Sequence, residues 1–268
     1  MMASEIYLSG LAVLLALAVL GWLASLALRN VNLVDSLWSL FFLAATITYA
    51  SLPPEPGPRT GLILALVTLW SLRLAVHLAV RNWGKPEDRR YRAIRANHSP
   101  GFAWKSLYLV FGLQAVLAWG ISLPLAAAVF SPAPLNALDY VGMALMLAGL
   151  IIETAADRQL GQFKADPAHA GRVLDTGLWR YSRHPNYFGE ACVWCGFGLI
   201  AVAGGAWWAL VSPVLMTFLL LRVSGVALLE RDIAERRPAY RDYIARTSAF
   251  VPWPPRPVTA ADVKEATR

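Results

Sequence analysis

The stretch "GLWRYSRHPNYFGE", residues 177–190, places a dense polar motif directly against an apolar run. Two arginines and a histidine precede Pro185, and Glu190 follows where the chain is already apolar. A proline disfavours helical backbone at the residue before it, so the chain is expected to turn at His184. The motif therefore marks the point where a polar layer gives way to a buried helix.

The composition of the chain is that of a membrane protein. Hydrophobic residues make up 57% of the 268 residues and charged residues 15%, whereas ordinary soluble domains carry about 25% charged residues. The formal net charge is +7, but Lys and Arg lie between the apolar runs, as they do in cytoplasmic loops of membrane proteins. This distribution predicts an integral membrane protein with no nucleic-acid partner.

Seven apolar runs in the sequence approach the length of about 20 residues that a membrane helix needs. The runs are continuously apolar and do not alternate, which favours helices over a transmembrane barrel. The sequence therefore predicts an all-α polytopic membrane protein with about seven transmembrane helices. The predicted spans are Ile6–Leu28, Leu33–Leu52, Gly61–Val80, Ser106–Phe130, Ala137–Ala156, Phe188–Ala203 and Ala206–Val226.

Lys and Arg are concentrated in alternate connections, and this asymmetry predicts the orientation in the membrane. Residues 81–105 contain seven of them, residues 158–183 contain five and residues 222–268 contain nine. The connections 51–60 and 131–136 contain one and none. We therefore expect the N-terminus outside, the C-terminus in the cytoplasm and the polar motifs on the cytoplasmic side.

One integral membrane domain is predicted over residues 1–256, followed by a loose tail over residues 257–268. No internal repeat is visible and the polar residues cluster at one face, which disfavours a transporter. Cys192 and Cys195 form a C-x-x-C pair inside an apolar run without a second ligand pair nearby, so we expect no metal site. The protein is expected to be a monomer.

Two clusters of polar residues lie in the first half of the chain. Asn32 and Asp35 share a helix face at the start of the second span, where they can cap the helix or serve a function. Both interpretations stay open. Arg73 lies about two turns inside the third span, and a buried guanidinium needs an anion, either an internal carboxylate or a ligand phosphate.

Two further clusters lie in the second half. Glu153 and Asp157 are spaced i, i+4, so they share one side of a helix, where two acids repel each other. We favour a binding site there over a solvated helix end. Asn186 can cap the helix that starts near Pro185, but Glu190 enters the membrane a turn later, which a surface role does not explain. We expect Glu190 to pair with the arginines of its own motif or with a ligand amide.

These clusters together predict a cytoplasm-facing pocket with arginines above carboxylates and amides. Arginine matches the geometry of phosphate, whereas Asn and Glu side chains can pair with a ring or a carboxamide. The chain has neither a Walker loop nor a G-x-G-x-x-G turn between a strand and a helix. A phosphate-bearing organic ligand would therefore be held by the side chains of a helical bundle.

The motif "GLWRYSRHPNYFGE", with "LLERDIAERRPAYRDYIARTSAFVPWPP" two spans later, resembles the C-terminal part of the steroid 5-alpha-reductase family. "NVNLVDSLW" and "LWSLRLAVHLAVRNWGKPEDRRY" resemble its bacterial membrane branch, so the resemblance covers most of residues 30–256. It implies a seven-helix bundle in a bacterial inner membrane that binds NADPH on its cytoplasmic side. It also implies reduction of a carbon–carbon double bond conjugated to a ketone, in a lipophilic substrate that enters from the bilayer.

The resemblance also implies the residues of the site. Asn186 and Glu190 match the family's Asn-x-x-Gly-Glu cofactor motif. The resemblance also matches cofactor contacts to Asp157, Lys164, Arg222 and the phosphate-binding Arg73. Tyr181 and Arg183 fall inside the motif and are predicted as cofactor-binding. Glu153, which shares the helix face of Asp157, is predicted with them. The family's Gln-Glu pair that addresses a steroid ketone is missing, and Asp35 lies in about the same region. We predict Asp35 as the catalytic acid, kept protonated by an apolar site, that stabilises the developing enolate, with a tyrosine as the alternative acid.

A membrane methyltransferase of the isoprenylcysteine carboxyl or phospholipid type is the alternative function. Those enzymes share an "RHPxYxG"-like motif, and S-adenosylmethionine would take the place of NADPH. Asn186, Glu190 and the arginine-rich pocket favour the nicotinamide dinucleotide, because its additional phosphates need the arginines. We therefore expect an oxidoreductase of lipid or steroid metabolism.

Overall fold

The computed structural model describes residues 3–223, 225–231 and 233–257, and the secondary structure of this part of the chain is helical throughout. The predicted tail lies outside the described residues except for Pro257. The α-helices are α1 Ala3–Leu28, α2 Leu33–Ser51, α3 Thr60–Asn82, α4 Arg89–Asn97, α5 Phe102–Ser106, α6 Leu113–Ile121, α7 Leu123–Phe130, α8 Ala137–Ala165, α9 Pro185–Ala203, α10 Val211–Phe218, α11 Val226–Glu230, α12 Ile233–Arg236 and α13 Tyr240–Arg246.

Seven helical stretches of the described chain are long and apolar enough to cross a membrane. They are Ala3–Leu28, Leu33–Ser51, Thr60–Asn82, Phe102–Ile121, Ala137–Ala165, Pro185–Ala203 and Trp207–Glu235. The predicted all-α class and the predicted number of spans are thereby confirmed. The orientation of the termini stays a prediction.

The fourth span differs from its predicted limits. The apolar run Ser106–Phe130 was expected to form one helix, but α6 ends at Ile121 and α7 starts at Leu123. Pro124 lies in the first turn of α7, where the backbone N–H that proline lacks would be unpaired in any helix. Hydropathy cannot show such a break, because the residues on both sides are equally apolar.

Contacts between α-carbons group the chain into two compact units. Unit 1 consists of Met1–Asp139 and Ile200–Ser212, and unit 2 consists of Tyr140–Leu199 and Pro213–Arg268. The predicted candidate residues are divided between the units, with Asp35 and Arg73 in unit 1 and the others in unit 2. The prediction of one domain over residues 1–256 stays a prediction.

In the core of unit 1, the polar atoms of aromatic and serine side chains form hydrogen bonds between apolar helices. The Tyr7 hydroxyl donates to the Trp119 carbonyl at 2.8 Å, and the Trp119 indole donates back to the Tyr7 carbonyl at 2.9 Å. The buried hydroxyls of Tyr49 and Ser122 lie 2.8 Å apart. Polar groups inside a membrane need internal partners because lipid offers none. These bonds therefore fix α1, α2 and the end of α6 against one another.

A fully buried ion pair closes unit 1 at the beginning of α3. The Arg59 guanidinium donates to both carboxylate oxygens of Asp139, at 2.7 and 2.8 Å, and both side chains are 0% exposed. Its remaining N–H groups reach the carbonyls of Ala133 and Pro134, at 2.7 and 3.1 Å. A buried charge is tolerated only when it is paired and hydrogen-bonded in this way. The pair ties the start of α3 to the start of α8.

Helices α8 and α9 of unit 2 pack backbone to backbone along glycines. A Cβ atom built on Gly149 would lie 2.5 Å from the Gly189 carbonyl oxygen, and one built on Gly189 would lie 2.6 Å from that of Gly149. About two turns further, a Cβ on Gly196 would lie 2.6 Å from the Gly142 carbonyl oxygen. Small residues permit this close approach between membrane helices. The contact places Glu153 of α8 beside the beginning of α9.

The segment after α13 runs alongside the polar motif. The Arg183 backbone N–H donates to the Ser248 carbonyl at 2.8 Å, and the Trp253 N–H donates to the Tyr181 carbonyl at 2.9 Å. We call residues 247–257 the C-terminal strap. Its backbone bonds hold the turn that leads into α9.

Candidate functional site

The two acids of α8 are buried against α9. Glu153 is 4% exposed and Asp157 is 9% exposed, and their i, i+4 spacing turns both toward the first turns of α9. The Glu153 backbone faces Gly189 directly. A solvated helix end is therefore the wrong interpretation of this pair, and its burial supports the predicted site.

Asn186 is held across the α8–α9 contact by its side-chain amide. Its Nδ2 donates to Oδ1 of Asp157 at 3.1 Å. The amide consequently crosses to α8 and is not engaged in capping α9, which begins one residue earlier at Pro185. Within the described chain, Oδ1 of Asn186 is buried and accepts no hydrogen bond. The arrangement presents a fixed hydrogen-bond acceptor.

Glu190 lies one turn beyond Asn186 on α9 and is 5% exposed. Its Oε1 accepts a hydrogen bond from the indole N–H of the fully buried Trp194 at 3.1 Å. Of the partners expected for Glu190, Arg183 is wrong, because its guanidinium pairs with Glu230, whereas Arg180 and a ligand amide stay predictions. The sequence could not show this, since Glu230 is distant along the chain.

Arg183 and His184 anchor the end of unit 2. The guanidinium donates to both oxygens of Glu230, at 2.7 and 2.9 Å, and to the carbonyls of Ile244 and Thr247. The imidazole Nε2 of His184 lies 2.9 Å from the same carboxylate. These contacts explain the burial of Arg183 by a structural role, since its guanidinium connects segments of unit 2. Its cofactor contact stays a prediction.

Four further candidate residues lie nearer the surface. In unit 2, Lys164 at the end of α8 and Arg222 in the helical turn after α10 are exposed, and Tyr181 is 43% exposed. In unit 1, Arg73 is half-buried in α3, more than two turns before that helix ends. Its depth in the span agrees with the prediction. The anions that these cations would bind stay predictions.

Asp35 lies in a polar cluster of unit 1. Its Oδ1 accepts from the Tyr91 hydroxyl at 2.6 Å, and its Oδ2 lies 3.3 Å from Arg90 and 4.0 Å from Arg81. The apolar surroundings expected for this carboxyl are therefore wrong. Its oxygens serve as acceptors, so it is badly placed to act as the acid that donates a proton.

Asn32 does not cap α2. It occupies the N-cap position, but its side chain makes no capping hydrogen bond. Its Nδ2 instead donates to the Pro86 carbonyl at 3.2 Å, and its Oδ1 accepts from the Asp88 N–H at 2.8 Å. The capping alternative is therefore wrong. Asn32 fastens the connection between α3 and α4 onto the turn before α2, which brings Tyr91 to Asp35.

Tyr91 is a candidate residue that the sequence analysis missed. It lies in α4 and is 6% exposed. Burial and the neighbouring negative charge of Asp35 raise the pKa of Tyr91 well above its usual value. The sequence signal was a single tyrosine among arginines. This pattern does not indicate a contact with Asp35, which lies 56 residues earlier in the chain.

Comparisons with known proteins find similarity to an uncharacterized protein over most of the chain and to an enzyme over part of it. An uncharacterized protein of Schizosaccharomyces pombe (strain 972 / ATCC 24843) is 24% identical over 265 residues, which cover 86% of this chain and 75% of that protein. The 3-oxo-5-alpha-steroid 4-dehydrogenase 1 of Mus musculus is 34% identical over 79 residues, 30% of this chain and 29% of the enzyme. The same enzyme of Rattus norvegicus matches with equal identity and length, over 28% of its chain.

No solved structure matches the chain. The family described as "Protein of unknown function (DUF1295)" matches residues 21–247. That match spans all the candidate residues and most of the chain. The protein therefore belongs to the DUF1295 family, and its similarity to 3-oxo-5-alpha-steroid 4-dehydrogenase is partial.

Proposed function

We propose that this protein is a membrane reductase that uses NADPH to reduce a carbon–carbon double bond conjugated to a ketone in a lipophilic substrate. The partial similarity to 3-oxo-5-alpha-steroid 4-dehydrogenase 1 supports a reductase. The seven apolar helices support an integral membrane protein, and a lipophilic substrate would be concentrated in a membrane. The observation that carries the proposal is the buried amide of Asn186.

The Asn186 amide fits the carboxamide end of a nicotinamide. Asp157 takes its N–H, which leaves Oδ1 as a buried acceptor without a partner in the described chain. Leaving such an atom unsatisfied costs about 1–3 kcal/mol, and a ligand N–H would remove that cost. Glu190 adds carboxylate oxygens one turn further along the same face. NADPH, when bound, supplies the hydride.

The exposed cations of unit 2 are proposed to hold the phosphates of the cofactor. Lys164 lies at the end of α8, Arg222 lies in the helical turn after α10, and both side chains are exposed. Arginine offers a planar fork that matches phosphate, and lysine offers a compact point charge. Arg73 is proposed for the same task on the strength of the sequence motif "LWSLRLAVHLAV" that contains it.

Tyr91 is proposed as the proton-bearing group for the substrate ketone. Reduction of an enone adds a hydride and a proton, and negative charge develops on the ketone oxygen. A phenol O–H stabilises such charge by hydrogen bonding. The single Oη–H of Tyr91 is donated to Asp35 at 2.6 Å, so in the proposed step it turns from Asp35 to the ketone oxygen when substrate binds. We therefore assign Asp35 to positioning Tyr91, in place of the acid role expected from the sequence.

Ligand-dependent stability of the purified full-length protein tests the cofactor. Its thermal unfolding in a nonionic detergent is compared with NADPH, NADH and S-adenosylmethionine. A ligand at a hundredfold excess over its dissociation constant stabilises the folded state by about 2.7 kcal/mol. We expect stabilisation by NADPH, followed by loss of NADPH absorbance when a panel of steroidal and aliphatic enones is added. Stabilisation by S-adenosylmethionine alone would contradict the reductase and support the methyltransferase.

A further inference from the structure

Three arginines meet around a cavity of unit 2 that the proposed reductase chemistry does not use. The cavity has a volume of about 650 Å³, and Arg180, Arg246 and Arg256 line it together with Thr176 and Thr247. Neither Asn186 nor Glu190 is among its lining residues. The cavity therefore needs an explanation of its own.

Backbone contacts hold the walls of this cavity. The Arg256 N–H donates to the Arg246 carbonyl at 2.9 Å, which closes the C-terminal strap onto the end of α13. On the opposite wall, the Leu178 N–H donates to Oε1 of Gln159 at 3.0 Å. Gly177, at φ 60°, makes the turn that leads to Arg180. The backbone segments that carry the arginines are therefore held by hydrogen bonds on both sides of the cavity.

The charge of the cavity lining is unbalanced. Asp175 is its single acid, and this carboxylate pairs with Arg246. Three guanidinium groups against one carboxylate leave two positive charges, and the side chains of Arg180 and Arg256 have no carboxylate partner in the described part of the chain. Converging like charges repel one another, and a bound anion would relieve this repulsion.

We propose that this cavity binds a phosphate group. Guanidinium groups donate to phosphate oxygens in pairs, and the hydroxyls of Thr176 and Thr247 can donate beside them. Trp253, which is 67% exposed, lines a neighbouring cavity that shares Arg246, Thr247 and Arg256 with this one. Tryptophan is enriched where proteins meet the membrane–water interface. The phosphate belongs either to a lipid headgroup or to a soluble phosphate ester.

Calorimetric titration of the full-length protein in a nonionic detergent tests this site without NADPH, so its outcome is independent of the proposed reductase. The probes are inorganic phosphate, a short-chain phosphatidic acid and the matching short-chain diacylglycerol without phosphate. The variants are Arg180→Gln and Arg256→Gln, with Arg172→Gln as the matched control. Arg172 is also exposed but lies outside the cavity lining. Thermal unfolding of each variant reports whether its fold is retained.

We expect a phosphate-bearing probe to bind the wild type and Arg172→Gln, and the diacylglycerol to bind neither. Arg180→Gln and Arg256→Gln should each weaken binding about tenfold, which is about 1.4 kcal/mol. Tighter binding of phosphatidic acid than of phosphate identifies a lipid headgroup, and equal binding identifies a soluble phosphate ester. Failure of the wild type to bind either probe, or an equal loss in Arg172→Gln, overturns the proposal.

Discussion

Two side-chain hydrogen bonds define the candidate residues. Tyr91 donates to Asp35 across 56 positions of the chain, and Asn186 donates to Asp157 across 29. Asp35 orients the hydroxyl of Tyr91, and Asp157 orients the amide of Asn186, whose oxygen can accept a hydrogen bond. The sequence marked three of these residues, but it could not assign their roles, because those depend on which groups the fold brings together.

Replacing Tyr91 by Phe should remove the proton-bearing group and leave the cofactor site intact. We expect kcat for enone reduction to fall by about 10²–10⁴-fold, with the Kd for NADPH unchanged. Steady-state kinetics and a separate NADPH titration measure the two quantities. Tyr140→Phe is the matched control, because Tyr140 is 57% exposed and should tolerate the change. A Tyr91→Phe variant with wild-type kcat would rule out this role.

Glu190→Ala should abolish NADPH binding, but it should also affect the fold. The buried Trp194 indole would lose its acceptor, which costs about 1–3 kcal/mol of unfolding free energy. Glu190→Gln keeps an oxygen for Trp194 and removes the negative charge. We therefore expect near-wild-type thermal stability for Glu190→Gln, together with weakened NADPH binding measured by fluorescence titration. Wild-type affinity in both variants would show that Glu190 does not contact the cofactor.

At the scale of helices, hydropathy predicted where the spans lie better than how they meet. The run predicted as Leu33–Leu52 forms a helix over Leu33–Ser51, within one residue of its limits. The break before Pro124 and the glycine contact between α8 and α9 were not predicted. The hydropathy of a segment shows whether it is stable in lipid. Helix packing depends instead on which small residues face a neighbouring helix.

Gly189→Ala should disrupt the α8–α9 contact. The added methyl would lie 2.6 Å from a carbonyl oxygen and 2.7 Å from a backbone nitrogen, and neither atom can move without the helix. Overpacking of this kind costs about 1–3 kcal/mol. Thermal unfolding in detergent should therefore show a lower midpoint and weaker binding of NADPH at the adjacent residues.

Gly161→Ala is the control for that change. Gly161 is also in α8, and a Cβ atom built on it meets nothing within 4 Å. Alanine is favoured over glycine inside a helix by about 0.5–1 kcal/mol, so this variant should be as stable as the wild type or more so. If both variants behave alike, the close α8–α9 contact does not determine stability.

At the scale of the molecule, the orientation in the membrane rests on charge alone. Glu55 and Lys85 are exposed and lie in connections at opposite ends of α3. In a background without Cys192 and Cys195, a membrane-impermeant maleimide should label Glu55→Cys in intact cells. Lys85→Cys should be labelled only after permeabilisation. The reverse pattern would invert the predicted topology and place the polar motifs outside.

The sequence by itself determined the membrane class, the helical architecture and the segments that carry polar residues. These follow from composition and local spacing, because lipid forces apolar runs into helices. Only the tertiary structure decided the partners: Arg183 with Glu230, Asn186 with Asp157, and Tyr91 with Asp35. It also showed that the residues of the opening motif "GLWRYSRHPNYFGE" belong to two separate clusters of contacts. Arg183 and His184 anchor the end of unit 2, whereas Asn186 and Glu190 point into the α8–α9 contact. The physical reason is that a hydrogen bond depends on distance in space, and the chain order does not encode that distance for residues tens of positions apart.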